Sequence, residues 1–180
     1  MAASERRGVA AVLDRVRRAA LEVESATSVV PMPAPPPAAT DTGALYDATV
    51  TNADLRSVTR KLFLDGHYAQ AVEQACKLVS NTVKERIKST KDGPDLMQHA
   101  FGTATPPLRI NPGKTQSHRD EQDGYRFIFA GLMSGVRNPR AHEHLLRDDA
   151  DAALEMLVLA NHLLRVLKGA IRPRYRRTTG

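Results

Sequence analysis

The stretch that decides the fold is His67–Ser89, HYAQAVEQACKLVSNTVKERIKS. Its apolar residues recur at every third or fourth position, the spacing that lines one face of an α-helix. The apolar stripe consists of Tyr68, Ala71, Val72, Ala75, Leu78, Val79, Val83 and Ile87. Polar and charged residues fill most of the other positions. The pattern predicts a long amphipathic helix that buries one face against a core.

A second helix is predicted just before this one. Asn52 or Asp54 can cap its N-terminus, because a short polar side chain there accepts hydrogen bonds from free backbone N–H groups. The helix is expected to run to about Leu64, where Asp65-Gly66 forms a tight break. The residues predicted to face inward are Leu55, Val58, Leu62 and Phe63.

Helical spacing continues on the C-terminal side. A short helix is predicted after Pro94, and residues 102–116, with three prolines and two glycines, are predicted to form a loop. A further helix begins at Ser117 and is expected to end at Asn138-Pro139, because proline lacks a backbone N–H and restricts the residue before it. The residues predicted to form its buried stripe are Phe127, Ile128, Leu132 and Val136.

The last helix, capped by Asp148 or Asp149, is apolar on nearly every face. Its apolar positions include Leu154, Leu157, Val158, Leu164, Val166 and Leu167. Such a helix lies either in the centre of a bundle or at a subunit interface. Since no convincing alternating strand appears, the sequence predicts an all-α fold, an up-and-down bundle of four or five helices.

An extra helix is predicted ahead of the bundle, over about residues 4–26. Its apolar face would consist of Val9, Val12, Leu13, Val16, Ala20 and Val23. Five prolines within the seven residues 31–37 then favour an extended chain. We therefore expect an N-terminal helix (1–30), a proline-rich linker (31–43), a helical domain (44–170) and a basic tail (171–180).

Composition and charge exclude several classes of function. The 180 residues include 42% apolar and only 4% aromatic residues, too few for a stacking platform that reads single strands. The single cysteine, Cys76, excludes an internal disulfide and a cysteine-cluster metal site. No membrane span and no secretory signal is visible, so we expect a cytosolic protein. The net charge of +6 equals the six bases between residues 165 and 177, so the basic character is confined to the C-terminal end.

The densest polar cluster is the segment Arg137–His144, RNPRAHEH. Arginine stays charged at all relevant pH values, whereas histidine titrates near pH 6.5, so Arg137 beside His142 would suit phosphate chemistry. We expect Pro139 to turn the chain so that His142 returns towards Arg137. The alternative, which spacing alone favours, is that Arg137 caps helix carbonyl groups and His142 begins a helix.

Two blocks resemble the Ymh-type branch of the HEPN superfamily, which consists of small helical bundles. They are Gly66–Ala75, GHYAQAVEQA, and Gly124–Glu143, GYRFIFAGLMSGVRNPRAHE, the second of which contains Arg-x4-His. The resemblance covers about residues 54–167. Many HEPN proteins are metal-independent endoribonucleases, so the resemblance implies RNA as substrate and no metal or other cofactor.

The resemblance also implies the roles of individual residues. Arg137 would stabilise charge on the phosphate, His142 would act as general acid or base, and Asn138 matches the polar residue that follows the arginine. The 2′-hydroxyl of RNA would attack the adjacent phosphate and yield a 2′,3′-cyclic phosphate. HEPN proteins commonly form homodimers in which two such motifs face one groove. A toxin or antiviral effector of this kind would have an antitoxin or a larger defence complex as partner.

Three further residues are candidate RNA contacts: Arg140, His144 and His67. Each has an alternative, a solvated position for the first two and a structural role at a helix start for His67. The pair His142 and His144 is not a zinc site, because residues two apart point to different faces of a helix. The rival functions are a non-catalytic RNA- or nucleotide-binding module and an architectural dimerisation bundle.

Overall fold

The computed structural model describes residues 14–19, 21–22, 41–142 and 148–173. Residues 1–38 and residues 39–180 form two separate units. In the first unit, residues 14–19 and 21–22 are helical and exposed, in agreement with the helix predicted there. The remainder of that helix and the proline run lie outside the described residues.

The described part of the second unit confirms the all-α prediction. Its elements are α1 (Thr42–Thr49), α2 (Ala53–Leu64), α3 (Tyr68–Ile87), α4 (Gly93–Phe101), α5 (Gln116–Gly131), a π-helical turn (Leu132–Arg137), α6 (Asn138–His142) and α7 (Ala150–Gly169). The residues described there contain no strand, only an isolated bridge between Arg109 and Ile171. That bridge holds the first residue of the predicted basic tail, while residues 174–180 lie outside the described part.

Helix α3, the element predicted most clearly, is the centre of the fold. It contacts α2, α4, α7 and the π-helical turn. The predicted stripe is largely confirmed, since Ala71, Val72, Ala75, Val79 and Val83 are fully buried. The helix ends at Lys88, which has a left-handed backbone with φ of 53°.

The helices before α3 differ from the prediction in two places. Helix α1 was not predicted, and it begins at Thr42 because the Asp41 side chain accepts hydrogen bonds from the N–H groups of Gly43 and Ala44. The first two residues of α1 thus overlap the linker that was predicted to reach about residue 43. Asn52 caps α2 as one of the two predicted caps, but Val58 is exposed rather than inward.

The buried stripe predicted for α5 was partly wrong. Phe127 is 57% exposed and Ile128 is 44% exposed, whereas Phe129 is fully buried. Phe129 stacks on Phe101 of α4 with ring centroids 4.6 Å apart, so this contact fixes which face of α5 points inward. The run Phe127-Ile128-Phe129 offered apolar residues to two faces, and spacing alone did not separate them.

The expected break at Asn138-Pro139 is also wrong, because the helix continues to His142. The Asn138 N–H donates to the carbonyl of Met133, five residues earlier, which is the π-helical pattern. In a regular α-helix the ring of Pro139 would clash with the carbonyl of Gly135. The wider π-helical turn relieves that clash, so the chain passes through the proline without a corner.

Helix α7 settles the choice between a bundle centre and a subunit interface. Its leucines Leu157, Leu163 and Leu167 are fully buried within the chain itself, so the helix is central. Asp149 is its N-cap and accepts a hydrogen bond from the N–H of Ala152. Among the helices that the structure describes, none is long and apolar enough to cross a membrane.

Candidate functional site

Arg137 is the last residue of the π-helical turn, and its guanidinium group is incompletely paired. The side chain is 24% exposed, and NH2 lies 3.8 Å from Oδ2 of Asp92. This distance exceeds the 2.7–2.9 Å of a charge-assisted hydrogen bond, so the contact is loose. The buried Nε of Arg137 has no hydrogen-bond partner among the described residues. Because Nε is shielded from solvent, the hydrogen-bonding capacity left for a ligand lies at the terminal nitrogens of this partly exposed side chain.

Asp92 is held firmly on its other oxygen. Oδ1 accepts hydrogen bonds from Ser80 Oγ at 3.0 Å and from the backbone N–H of Gly93 at 2.8 Å, and Lys84 Nζ lies 3.3 Å away. Partial burial alone would raise the pKa of Asp92, but these donors outweigh it and lower the pKa below its ordinary value. Asp92 is consequently a carboxylate at neutral pH. We call Ser80, Lys84, Asp92 and Arg137 the Asp92 cluster.

The thiol of Cys76, on α3, responds to the charges of Arg137 and Arg140. Burial raises the pKa of its thiol to about 12, and the positive charges of Arg140 and Arg137 partly oppose that rise. Both guanidinium groups are thus near enough to α3 to act on a buried group there. The thiol itself is neutral at physiological pH and belongs to the core.

Arg140 has a different environment from Arg137. Its Nε and NH2 donate to the two oxygens of Asp148 at 2.7 and 2.6 Å, and NH1 donates to the carbonyl of Val136 at 2.8 Å. Only 11% of the Arg140 side chain and 9% of the Asp148 side chain are exposed. The pair ties α6 to the residue before the N-cap of α7. An RNA contact by Arg140 stays a prediction, and this geometry does not favour it.

His142 lies on the same continuous helix as Arg137, and its backbone closes α6. Five helical residues correspond to a rise of about 7.5 Å and a rotation of about 140° beyond one full turn. The corner that we expected at Pro139 is therefore absent, while the approach of the His142 side chain to Arg137 stays a prediction. Asn138 is half-buried where the π-helical turn passes into α6. His144 lies outside the described residues.

The structure does not bring His67 to this cluster. His67 is exposed and precedes α3, with no side-chain hydrogen bond that caps the helix. Ser80 lies 13 residues further along α3, a distance of about 20 Å at helical rise. His67 as an RNA contact would therefore belong to a separate part of the surface.

A cavity of about 400 Å³ lies elsewhere, beside the loop after α4 and the first turns of α5. Its wall includes Arg109, His118, Arg119 and Asp120, so it carries charges of both signs. Arg137 does not line it, because the π-helical turn is at the other end of α5.

Sequence reasoning missed Ser80, Lys84 and Asp92. The available signal for Asp92 was the run Asp92-Gly93-Pro94, an N-cap followed by a proline in the first turn. Ser80 and Lys84 are four residues apart and so lie on one face of α3. Nothing in the sequence shows that this face meets Arg137, because that contact depends on how α3 packs against the π-helical turn.

Comparison with known proteins gives one finding. Residues 50–167 match the profile of a family described as "Protein of unknown function (Hypoth_ymh)". The matched range contains the Asp92 cluster, the π-helical turn and α6. No curated protein and no solved structure matches the chain.

Proposed function

We propose that this chain, which belongs to the Hypoth_ymh family, is a metal-independent endoribonuclease. The observation that carries the proposal is the Arg137 guanidinium, which is partly exposed, loosely opposed by Asp92 and unpartnered at Nε among the described residues. A guanidinium in that condition can bind and neutralise a phosphate. The resemblance of the segment around Arg137 and His142 to the HEPN superfamily adds RNA as the substrate.

In the proposed reaction the 2′-hydroxyl of RNA attacks the adjacent phosphorus atom. His142 acts as the general base that takes the hydroxyl proton or as the acid that protonates the departing 5′-oxygen. Arg137 stabilises the negative charge that develops on the phosphate oxygens. The products are a 2′,3′-cyclic phosphate and a free 5′-hydroxyl, so DNA is not cleaved.

The direct test is cleavage of RNA by the purified protein in the presence of EDTA. We expect Arg137→Ala and His142→Ala each to lower the rate by about 10²-fold or more. Lys61→Ala, on the exposed surface of α2, serves as the control and is expected to leave the rate unchanged. Undiminished cleavage in both site variants, or cleavage that requires added Mg²⁺, would contradict the proposal. Binding of RNA without turnover would instead identify a binding module.

His142, the single proposed catalytic histidine of each chain, cannot readily serve as both acid and base, so we place the site in a groove between two copies. Supporting this, α5 carries an exposed apolar face that includes Phe127 and Ile128. Gly124 and Gly131 lie on the same face, with open space above both. A second copy that packs there with its α5 parallel to this one, about a two-fold axis along α5, would bring both α6 segments to one end of a shared interface. Phe127→Asp is expected to yield a folded monomer in analytical ultracentrifugation.

Mixing wild-type protein with the double variant Arg137→Ala/His142→Ala tests whether the site is shared. A mixed dimer keeps one complete set of Arg137 and His142 but lacks the second histidine that a shared groove requires. We expect such mixed dimers to be inactive, so that activity falls with the square of the wild-type fraction. A linear fall, with subunit exchange verified by mass spectrometry, would show that each site uses residues of a single chain.

The proposed biological role is that of a toxin or defence effector, acting in the cytosol and restrained by an antitoxin or a larger complex. This part rests on the HEPN resemblance alone. Expression in a bacterial host is expected to arrest growth, and His142→Ala is expected to relieve the arrest. Equal growth arrest by both proteins would contradict the role.

A further inference from the structure

Two cations meet at a single carboxylate in the Asp92 cluster. Lys84 Nζ lies 3.3 Å from Oδ1 and Arg137 NH2 lies 3.8 Å from Oδ2. The two oxygens of a carboxylate and two oxygens of a phosphate present similar targets to a pair of cations. Asp92 therefore marks a position from which an anion can contact Lys84 and Arg137 together.

The charges in the cluster do not cancel. Two cations face one carboxylate, and the positive end of the α4 dipole adds to the excess because Asp92 is the N-cap of that helix. Lys84 is partly exposed and Asp92 is half-exposed, so the cluster is open to solvent. The excess positive charge is therefore accessible to a ligand from solution.

The two oxygens of Asp92 are held unequally. Oδ1 is fixed by Ser80, by the N–H of Gly93 and by Lys84, whereas Oδ2 has the loose contact with Arg137. A ligand can replace the Oδ2 contact without disturbing the bonds at Oδ1. Asp92 would then keep Lys84 in place while Arg137 turns to the ligand.

We propose that Lys84 and Arg137 bind the same backbone phosphate of an RNA strand and that Asp92 positions Lys84 for it. This inference rests on the proposed function, since it takes RNA as the ligand. It assigns a phosphate-binding role to Lys84 and a positioning role to Asp92, neither of which follows from the segment around Arg137.

The test is equilibrium binding of a 2′-O-methyl RNA oligonucleotide, which cannot be cleaved because it lacks the attacking hydroxyl. Affinity is measured by fluorescence anisotropy across a range of NaCl concentrations. We expect Lys84→Gln to reduce the slope of log K against log [salt] by about 0.7, the value for one phosphate contact on a single strand. The matched control is Lys61→Gln, which also removes a lysine with an aspartate partner but lies on α2, and its slope is expected to equal that of the wild type.

Asp92→Asn tests the positioning role. Asparagine is also a good N-cap and can still accept from Ser80 and Gly93, so the fold is expected to persist. Removing the negative charge should tighten RNA binding several-fold, while kcat falls because Lys84 loses the carboxylate that holds it in place. If Asp92 were merely structural, Asp92→Asn would lower the stability of the fold without also tightening RNA binding and lowering kcat.

The outcomes separate this inference from the proposed function. An unchanged salt slope in Lys84→Gln, or weaker binding by Asp92→Asn, overturns the inference even if cleavage depends on Arg137 and His142. Absence of binding to the oligonucleotide also overturns it. A reduced slope with no cleavage of ordinary RNA upholds the phosphate site and refutes the ribonuclease.

Discussion

Asp148→Asn is expected to destabilise the protein markedly, because it removes one charge from a buried ion pair. The Arg140 and Asp148 side chains are only 11% and 9% exposed and are joined by two hydrogen bonds of 2.7 and 2.6 Å. Leaving one partner of such a pair uncompensated costs roughly 3–5 kcal/mol. Arg140 keeps its hydrogen bond to the Val136 carbonyl, so we expect a cost near the lower end, about 3 kcal/mol.

The assay is urea denaturation followed by circular dichroism. The midpoint is expected to fall in Asp148→Asn while the slope of the transition stays constant, which identifies a change in stability alone. Asp65→Asn is the control, because its partner Lys61 is 87% exposed and such surface pairs contribute about 1 kcal/mol or less. Equal midpoints for the two variants would refute the assignment of Arg140 to a buried structural pair.

Replacing both partners separates the structural role of Arg140 from an RNA contact. The double variant Arg140→Met with Asp148→Leu is expected to recover most of the lost stability, because apolar side chains of similar size remove the unpaired buried charge. Its RNA affinity should keep the wild-type salt slope if Arg140 does not touch phosphate. A slope reduced by about 0.7 in a folded double variant would show that Arg140 contacts RNA after all.

Three further outcomes are expected. Asn161→Ala should lower the free energy of unfolding by about 2 kcal/mol in urea denaturation. The asparagine side-chain oxygen accepts hydrogen bonds from two backbone N–H groups at the start of α2, at 3.0 and 2.9 Å, and alanine cannot replace them. A loss below about 0.5 kcal/mol would contradict this reasoning. The hydrogen bond from Arg60 lowers the pKa of Asp47 in the folded state. The contribution of Asp47 to stability is therefore complete above a pH of about 4 and is lost as the pH falls through the lowered pKa of the folded protein. Thermal melts between pH 6 and pH 2.5 should therefore show a shallower acid loss in Asp47→Asn, and parallel curves would refute the linkage. Cys76, with its thiol pKa raised to about 12 by burial, should resist Ellman's reagent at pH 8 until urea unfolds the chain, and rapid labelling of the native protein would contradict its core position.

The helical framework could be predicted because each long helix carries its own spacing and its own cap. Asn52 and Asp149 were identified as cap candidates from sequence, and both cap the helices predicted for them. The predictions of buried residues failed where a local pattern was compatible with two different faces of a helix. The run Phe127-Ile128-Phe129 fits two faces of α5, and only the stacking of Phe129 on Phe101 selects one of them.

The candidate site was less predictable, because it depends on contacts between distant segments. The sequence identified Arg137 from its neighbours within RNPRAHEH, but Asp92 lies 45 residues earlier in the chain. The strong helix-breaking tendency of proline led to the wrong expectation at Pro139. That tendency holds for regular α-helix, and a π-helical turn removes the clash that causes it.

Arg137 and Arg140 are three residues apart on one helix, and in the sequence only the Arg-x4-His pattern separates their roles. In the structure the two arginines differ in how closely each is paired with a carboxylate. Asp148 meets Arg140 with two short hydrogen bonds and low exposure, which satisfies the guanidinium and fixes it. Asp92 meets Arg137 at 3.8 Å and is itself bound to other donors, so the charge of Arg137 is only partly compensated. A phosphate would gain little from Arg140 without breaking a buried pair, whereas at Arg137 it would replace only a weak contact. This difference in compensation is the physical reason to assign the anion to Arg137.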